Sequence, residues 1–182
     1  MRGLVRSRGV GEVYKRQVPT GEDGEVWARG GNFMREYWKL PEQTDAVFVD
    51  GWYRTGDAGH VDDHGYLFLV DRVKDMIVTG GENVYSVEVE SALSQHPAVA
   101  AASVIGVPDD KWGEAVHAVV VLKPGQSVTA EALGAQARTL IAGYKCPRSV
   151  EFREALPLTA AGKVQKTELR KPFWEGQSRN VA

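Results

Sequence analysis

Three polar clusters in this chain, residues 53–57, 71–81 and 159–166, carry residue types suited to handling an anionic ligand. Asp57 follows Gly56 at the end of a strand-like run, where its two carboxylate oxygens could accept both hydroxyls of a ribose or close an Asx-turn. Arg72 stands in a turn after a strand, where it could hold a phosphate or a ribose, or pair with Asp75 or Asp57. Lys163 sits beside Gly162 in Thr-Ala-Ala-Gly-Lys, either as a mobile ammonium next to approachable backbone or as a solvated surface lysine. This is not a P-loop, because the second glycine, the Gly-Lys-Ser/Thr ending and the preceding strand are missing. Four scattered histidines and a single cysteine give no metal-ligand spacing, so side chains alone are not expected to bind a metal. Cys146, between Lys145 and Pro147, reads as a small apolar filler rather than a reactive thiol.

The elements that must position these clusters follow from periodicity. Residues 25–28 form a short apolar and aromatic strand, and a Gly30-Gly31 break ends it. Residues 32–40 and 41–49 have helical spacing, with Pro41 at a first helical position. Residues 59–61 and 66–70 flank the turn 62–65 as a hairpin. A charged turn, 71–75, leads to a short apolar strand, 76–79, and to the Gly80-Gly81 turn. Ser86 is expected to cap a helix that carries Val87, Val89 and Leu93, exposes Glu88 and Glu90, and ends at His96-Pro97. Residues 99–107 and 115–122 are β-branched, apolar runs expected to be neighbouring strands buried on at least one face. Thr129 should cap an amphipathic helix through Ile141, followed by a third strand at 149–153, a loop at 157–162 and a last short helix at 166–173. The class is α/β (α+β): a small β-hairpin or barrel-like part, a hinge, then a compact three-stranded sheet with helices.

Composition excludes several classes. With 43% hydrophobic residues, 25% charged residues and a net charge of -2 over 182 residues, there is no basic field for nucleic acid. No apolar run approaches the length of a membrane span and no signal-peptide core follows the N-terminus, so a cytoplasmic protein is expected; membrane contact is left open. Residues 1–17 are Arg-rich without core periodicity, and Glu12 to Gln17 resembles a translated sequencing adapter. They are expected to be a non-native leader outside the fold, with a basic arm as the alternative.

Six segments in order resemble one family, the AMP-forming acyl-CoA synthetases, relatives of firefly luciferase and of peptide-synthetase adenylation domains. They are Gly-Trp-Tyr-Arg-Thr-Gly-Asp at 51–57, Asp-Arg-Val-Lys-Asp-Met-Ile-Val-Thr-Gly-Gly-Glu-Asn-Val-Tyr at 71–85, Val-Glu-Val-Glu at 87–90, Val-Pro-Asp-Asp-Lys-Trp-Gly-Glu at 107–114, Tyr-Lys-Cys-Pro at 144–147, and Pro-Leu-Thr-Ala-Ala-Gly-Lys-Val-Gln-Lys at 157–166. Each is weak alone, but their order over residues 18–170 is specific. Gly-Gly-Glu-Asn and Trp52 look most like the fatty-acyl and medium-chain branch. The luciferase branch has a lysine where Gly80 stands here.

The resemblance implies that residues 18–73 end a large AMP-binding domain, residues 74–175 form the small C-terminal domain, and 176–182 are a polar tail. Family enzymes join a carboxylic acid to ATP, with Mg2+ carried by the ATP, and then pass the acyl group to coenzyme A. By the same resemblance Asp57 would accept the ribose hydroxyls, Arg72 would donate to the ribose and phosphate region, and Trp52 would line the nucleotide site. Lys163 would bridge the carboxylate and the α-phosphate. Lys74 would be the hinge of a domain rotation, after which Thr79, Gly80 and Gly81 would line the channel for the thiol arm. The family's N-terminal domain is not among these residues, so the chain is expected to be a C-terminal fragment, inactive alone. Two other readings are a domain that loads a carrier protein and a non-catalytic binding module.

Overall fold

The computed structural model of the chain describes residues 4–8, by backbone alone, and 18–176. Contacts divide it into two units, one ending at Lys74 and the other beginning at Asp75. The first unit is built on a five-stranded sheet of β1 (Leu4–Arg8), β2 (Gly24–Arg29), β3 (Phe48–Val49), β4 (Trp52–Val61) and β5 (Leu67–Arg72). Their order is β1-β2-β4-β3, with β5 also on β4, and every pairing is antiparallel. The sheet is open, so the barrel-like part expected from the sequence is corrected to an unclosed antiparallel sheet.

The β4–β5 hairpin is set by Asp62, whose carboxylate accepts the amides of His64 and Tyr66 at 3.0 and 2.8 Å, and by Gly65 at φ 82°. Glycine is also required at position 59, where a Cβ would lie 2.3 Å from the Phe68 carbonyl oxygen across the ladder. Helix α1 (Pro41–Val47) begins at its proline as expected. Residues 32–40, in contrast, form turns and no helix. Lys39 takes a left-handed φ of 57°, and the proline ring disfavours helical backbone at Leu40, so helical spacing there is overruled. Residues 4–8 were expected to lie outside the fold. They pair with β2 instead, in the register Leu4↔Arg29 to Arg8↔Glu25. An edge strand joins through backbone hydrogen bonds, which need no apolar pattern. The rest of the expected leader lies outside the described residues.

The second unit contains β6 (Ile77–Thr79), β7 (Glu82–Val84), α2 (Ser86–Ser94), β8 (Val99–Asp109), β9 (Gly113–Leu122), α3 (Ala130–Leu140), β10 (Ser149–Phe152) and α4 (Lys166–Arg170). The three strands expected from the sequence are β8, β9 and β10. The β6–β7 hairpin joins them through Thr79↔Gly113, so the sheet has five strands in the order β10-β9-β6-β7, with β8 on β9. It is mixed, because β10 runs parallel to β9 and the other pairs are antiparallel.

Alternation along β9 sends its side chains to both faces. Val116, Ala118 and Val120 pack with Val89 and Leu93 of α2, Leu133 and Ala137 of α3, and Cys146. Ala115 and Val119 pack on the other side with Ile105, Val107 and Leu169 of α4. Burial of both faces explains why β8 and β9 read as continuous apolar runs. Cys146 is the filler the sequence implied: it is buried, and burial raises its thiol above the ordinary 9.0. Thr129 caps α3 by accepting the Ala132 amide at 3.2 Å.

Ser86 does not cap α2. The cap position belongs to Tyr85, and the buried Ser86 hydroxyl instead accepts from the Lys166 ammonium at 2.6 Å. Glu90, expected to be exposed, pairs with the same ammonium at 2.7 Å and accepts the Val104 amide at 2.8 Å. Val87, expected on the core side, is exposed.

His117 is the buried titratable group of β9. Its Nδ1 is 2.7 Å from the Ser149 hydroxyl, its Nε2 is 3.6 Å from Glu151, and its ring packs on Phe173. Burial pushes the imidazole below its ordinary 6.5, outweighing the attraction of Glu151, and Arg153 acts in the same direction as burial. The unfolded chain therefore takes up this proton at a higher pH than the folded chain. The contribution of His117 to stability is constant above about pH 6.5, falls as pH drops below it, and levels off once the folded imidazole is also protonated. Urea unfolding of the parent should lose midpoint on acidification below pH 6.5 more steeply than that of His117→Gln; equal slopes would refute the assignment.

Candidate functional site

The polar cluster on β4 and β5 is assembled by strand pairing. Asp57 and Arg72 are direct cross-strand partners, and Arg72 Nε lies 3.7 Å from Asp57 Oδ1. That distance is an ion pair and too long for a hydrogen bond. The side chains are 34% and 59% exposed, so both remain open to a ligand. The bend that presents Asp57 is made by its neighbours. Gly56 adopts φ 73°, and the Thr55 hydroxyl accepts the Asp57 amide at 3.1 Å while donating to the Val26 carbonyl at 2.8 Å. Thr55, rather than an Asx-turn of Asp57, thus closes the turn and leaves the carboxylate available.

A cavity of about 430 Å3 adjoins this pair, lined among others by Tyr37, Tyr53, Arg54, Thr55, Arg72 and Lys74. The Tyr53 phenol is held above its ordinary 10.0, chiefly by its hydrogen bond with Tyr37 and then by burial. Arg54 is committed to the buried Glu25, with contacts of 3.1 to 3.3 Å, and Glu25 also accepts the Trp27 indole N–H at 2.8 Å. Arg72 and Lys74 supply the other positive charge at the rim. Trp52, expected beside the nucleotide, is buried and is not among the residues that line this cavity. Tyr53 stood at the edge of a polar cluster in the sequence, but its pairing with Tyr37 was not read there. The two are 16 residues apart, and no local signal links them.

In the second unit Thr79 ends β6 and is buried. Gly80 and Gly81 both take left-handed φ, 61° and 85°, at the hairpin tip, but for different reasons. At Gly80 a Cβ would lie 2.7 Å from the Trp112 ring, and the Gly80 amide donates to the Trp112 carbonyl at 2.8 Å. At Gly81 nothing lies within 4 Å. A side chain at position 81 would therefore stand in open space, whereas the indole fills the space over Gly80. The Trp112 ring is flanked by Lys111 Nζ at 4.7 Å and Arg148 Cζ at 4.9 Å. Its backbone is set by Asp109, which accepts the amides of Lys111 and Trp112 at 3.0 and 2.9 Å. Beneath the hairpin the buried Glu114 accepts the Val78 amide at 3.0 Å.

Lys163 is exposed in the turn of a small hairpin closed by the bridge Leu158↔Val164. Asp75, weighed from the sequence as a partner of Arg72, pairs instead with Arg170.

Residues 88–163 match the AMP-binding enzyme C-terminal domain. The chain carries an AMP-binding enzyme C-terminal domain. It is 51% identical over 156 residues to a feruloyl-CoA synthase of Amycolatopsis sp, covering 86% of this chain and 32% of that protein. It is 46% identical over 166 residues to the fatty acid–[acyl-carrier-protein] ligase ScoC of Streptomyces coeruleorubidus, covering 91% of this chain and 32% of that protein. The fold is similar to that of ATP-bound MatB from Rhodopseudomonas palustris, with a TM-score of 0.86, 35% identity, and coverage of 94% of this chain and 34% of that one. The chain thus spans about a third of the length of the curated relatives it matches. Among the described residues no helix is long and apolar enough to cross a membrane.

Proposed function

We propose that this chain is the C-terminal part of an ATP-dependent carboxylic acid ligase that first adenylates a carboxylate and then transfers the acyl group to coenzyme A. The observation that carries this reading is the alignment with an acid-CoA synthase along 86% of the chain, through both units. In this reading residues 18–73 belong to a large nucleotide-binding domain and residues 74–175 are the small domain. Asp57 accepts the ribose hydroxyls, Arg72 donates to the ribose and phosphate region, and Trp52 belongs to the nucleotide site, although it is buried and is not among the residues that line the cavity beside Arg72. Lys163 supplies positive charge between the carboxylate and the α-phosphate. The two half-reactions have different transition states, and one rigid site cannot complement both, so a change of domain position between them is useful. Lys74 is its hinge, and Thr79, Gly80 and Gly81 serve the second step.

Among the described residues no three His, Cys, Asp or Glu side chains cluster to hold a metal, so Mg2+ would enter bound to the ATP phosphates. ATP and CoA as co-substrates favour a cytoplasmic site. A second acceptor is worth weighing on a specific ground: ScoC, a similar protein, is a carrier-protein ligase.

The test is carboxylate-dependent ATP–pyrophosphate exchange by the complete polypeptide carrying these residues, with ferulate and medium- and long-chain fatty acids, followed by addition of CoA or a holo carrier protein. Exchange with at least one acid and thioester formation on CoA are expected, and the 182 residues alone should show neither. Absence of exchange with every acid would overturn the reading, and transfer only to the carrier protein would favour the second acceptor.

A further inference from the structure

Lys163 carries a flexible side chain whose reach is decided by the backbone beneath it, and that backbone is braced chiefly by one residue. Thr159 donates its amide to the Lys163 carbonyl at 2.7 Å, and its hydroxyl accepts the Lys163 amide at 3.1 Å. Its carbonyl accepts the Gly162 amide at 2.9 Å, with Gly162 at φ 76°. Three bonds from Thr159 therefore close the turn, and only the hydroxyl bond depends on the side chain.

The stem below is anchored. The Gln165 amide donates to the Pro157 carbonyl at 2.8 Å, and its side-chain nitrogen donates to the Leu158 carbonyl at 2.9 Å. Leu156 and Val164 pack on the cluster of Ile105, Val107 and Leu169. Helix α4, which follows at once, is fastened at both ends. Lys166 is bound to Ser86 and Glu90, and Arg170 to Asp75. With the stem held so firmly, the orientation of the Lys163 amide plane rests on the turn.

We propose that Thr159 is a positioning residue for Lys163: its hydroxyl holds the Lys163 amide and so fixes the direction in which the ammonium leaves the hairpin. This rests on the role of Lys163 stated above. The argument is geometric. Valine has the shape of threonine without an acceptor, and serine has the acceptor without the methyl group. Loss of the hydroxyl frees the Lys163 amide and widens the volume that the ammonium explores, and misplacement on the scale of an ångström lowers a rate that depends on aligned reactants.

Three measurements test it. In the 182-residue chain, hydrogen exchange of the Lys163 amide should accelerate in Thr159→Val and return to the parental rate in Thr159→Ser, with thermal stability close to the parent in both. In the complete polypeptide, Thr159→Val should lower kcat for adenylation about tenfold, with KM for ATP and acid unchanged. Thioester formation from supplied acyl-adenylate should stay at the parental rate, and Thr159→Ser should restore adenylation. Unchanged exchange of the Lys163 amide, or parental adenylation by Thr159→Val, overturns the proposal. So does equal slowing of both half-reactions, which would mark Thr159 as merely structural. Failure of the parent reading is seen separately, as adenylation that survives Lys163→Ala.

Discussion

Lys163→Ala in the complete polypeptide is expected to lower adenylation at least about 100-fold, the scale seen when one preorganised electrostatic contact to developing charge is removed. Thioester formation from supplied acyl-adenylate should change little. The expectation follows from charge and placement. A carboxylate attacking an α-phosphate brings two anions together, and a cation aimed between them is most valuable at the transition state. Lys163 is exposed on a hairpin, where its ammonium has room to reach a substrate. Lys163→Arg keeps the charge but replaces a compact ammonium by a wide planar fork, and partial activity is expected. Pyrophosphate exchange and single-turnover thioester formation measure the two steps, and equal loss of both would remove Lys163 from the first step's chemistry.

The second large effect concerns stability. Asp75→Ala should cost about 3 kcal/mol, because it leaves the Arg170 guanidinium buried without its carboxylate. The two side chains are 15% and 10% exposed, so water offers Arg170 little replacement. Arg170 already carries one cost, since its Nε is buried with no hydrogen-bond partner among the described residues. Removing both charges is a different matter. The double variant Asp75→Ala/Arg170→Met should regain most of the loss, because no unpaired charge remains and the thioether fills part of the space. Urea unfolding of the 182-residue chain reads both results. A cost below about 1 kcal/mol for Asp75→Ala, or no recovery in the double variant, would show that the pair is effectively solvated.

The sequence was legible wherever a residue's role is local. Thr129 caps its helix because a hydroxyl three residues before a free amide needs no distant partner. Pro41 starts α1 and Asp62 closes the β4–β5 turn on the same ground. The runs of β8 and β9 announced burial because apolar residues dominate both faces, with Ser103 and His117 interrupting them. The readings that failed were those in which a distant group outcompeted a local preference. Ser86 has the chemistry of a cap, but Lys166, 80 residues on, takes its hydroxyl. Glu90 has the spacing of an exposed helix residue, but the Val104 amide and Lys166 claim it. The helical spacing of residues 32–40 yielded to a left-handed Lys39 and the proline that follows.

For the candidate site the division is similar. Residue type marked Asp57, Arg72 and Lys163 as candidates beside ordinary structural readings, and the resemblance of six ordered segments to one family assigned roles to them and to Lys74, Thr79, Gly80 and Gly81. Their arrangement was decided by strand register, which sets Asp57 opposite Arg72, and by a tryptophan 32 residues away that makes glycine obligatory at position 80. The tertiary structure alone turned Trp52 into the interior, gave Asp75 to Arg170 rather than to Arg72, and showed the Lys163 loop to be a hairpin closed by Thr159. The reason is physical: chemical identity belongs to the residue and is carried by the sequence, whereas distance and burial belong to pairs and are created only when the chain folds.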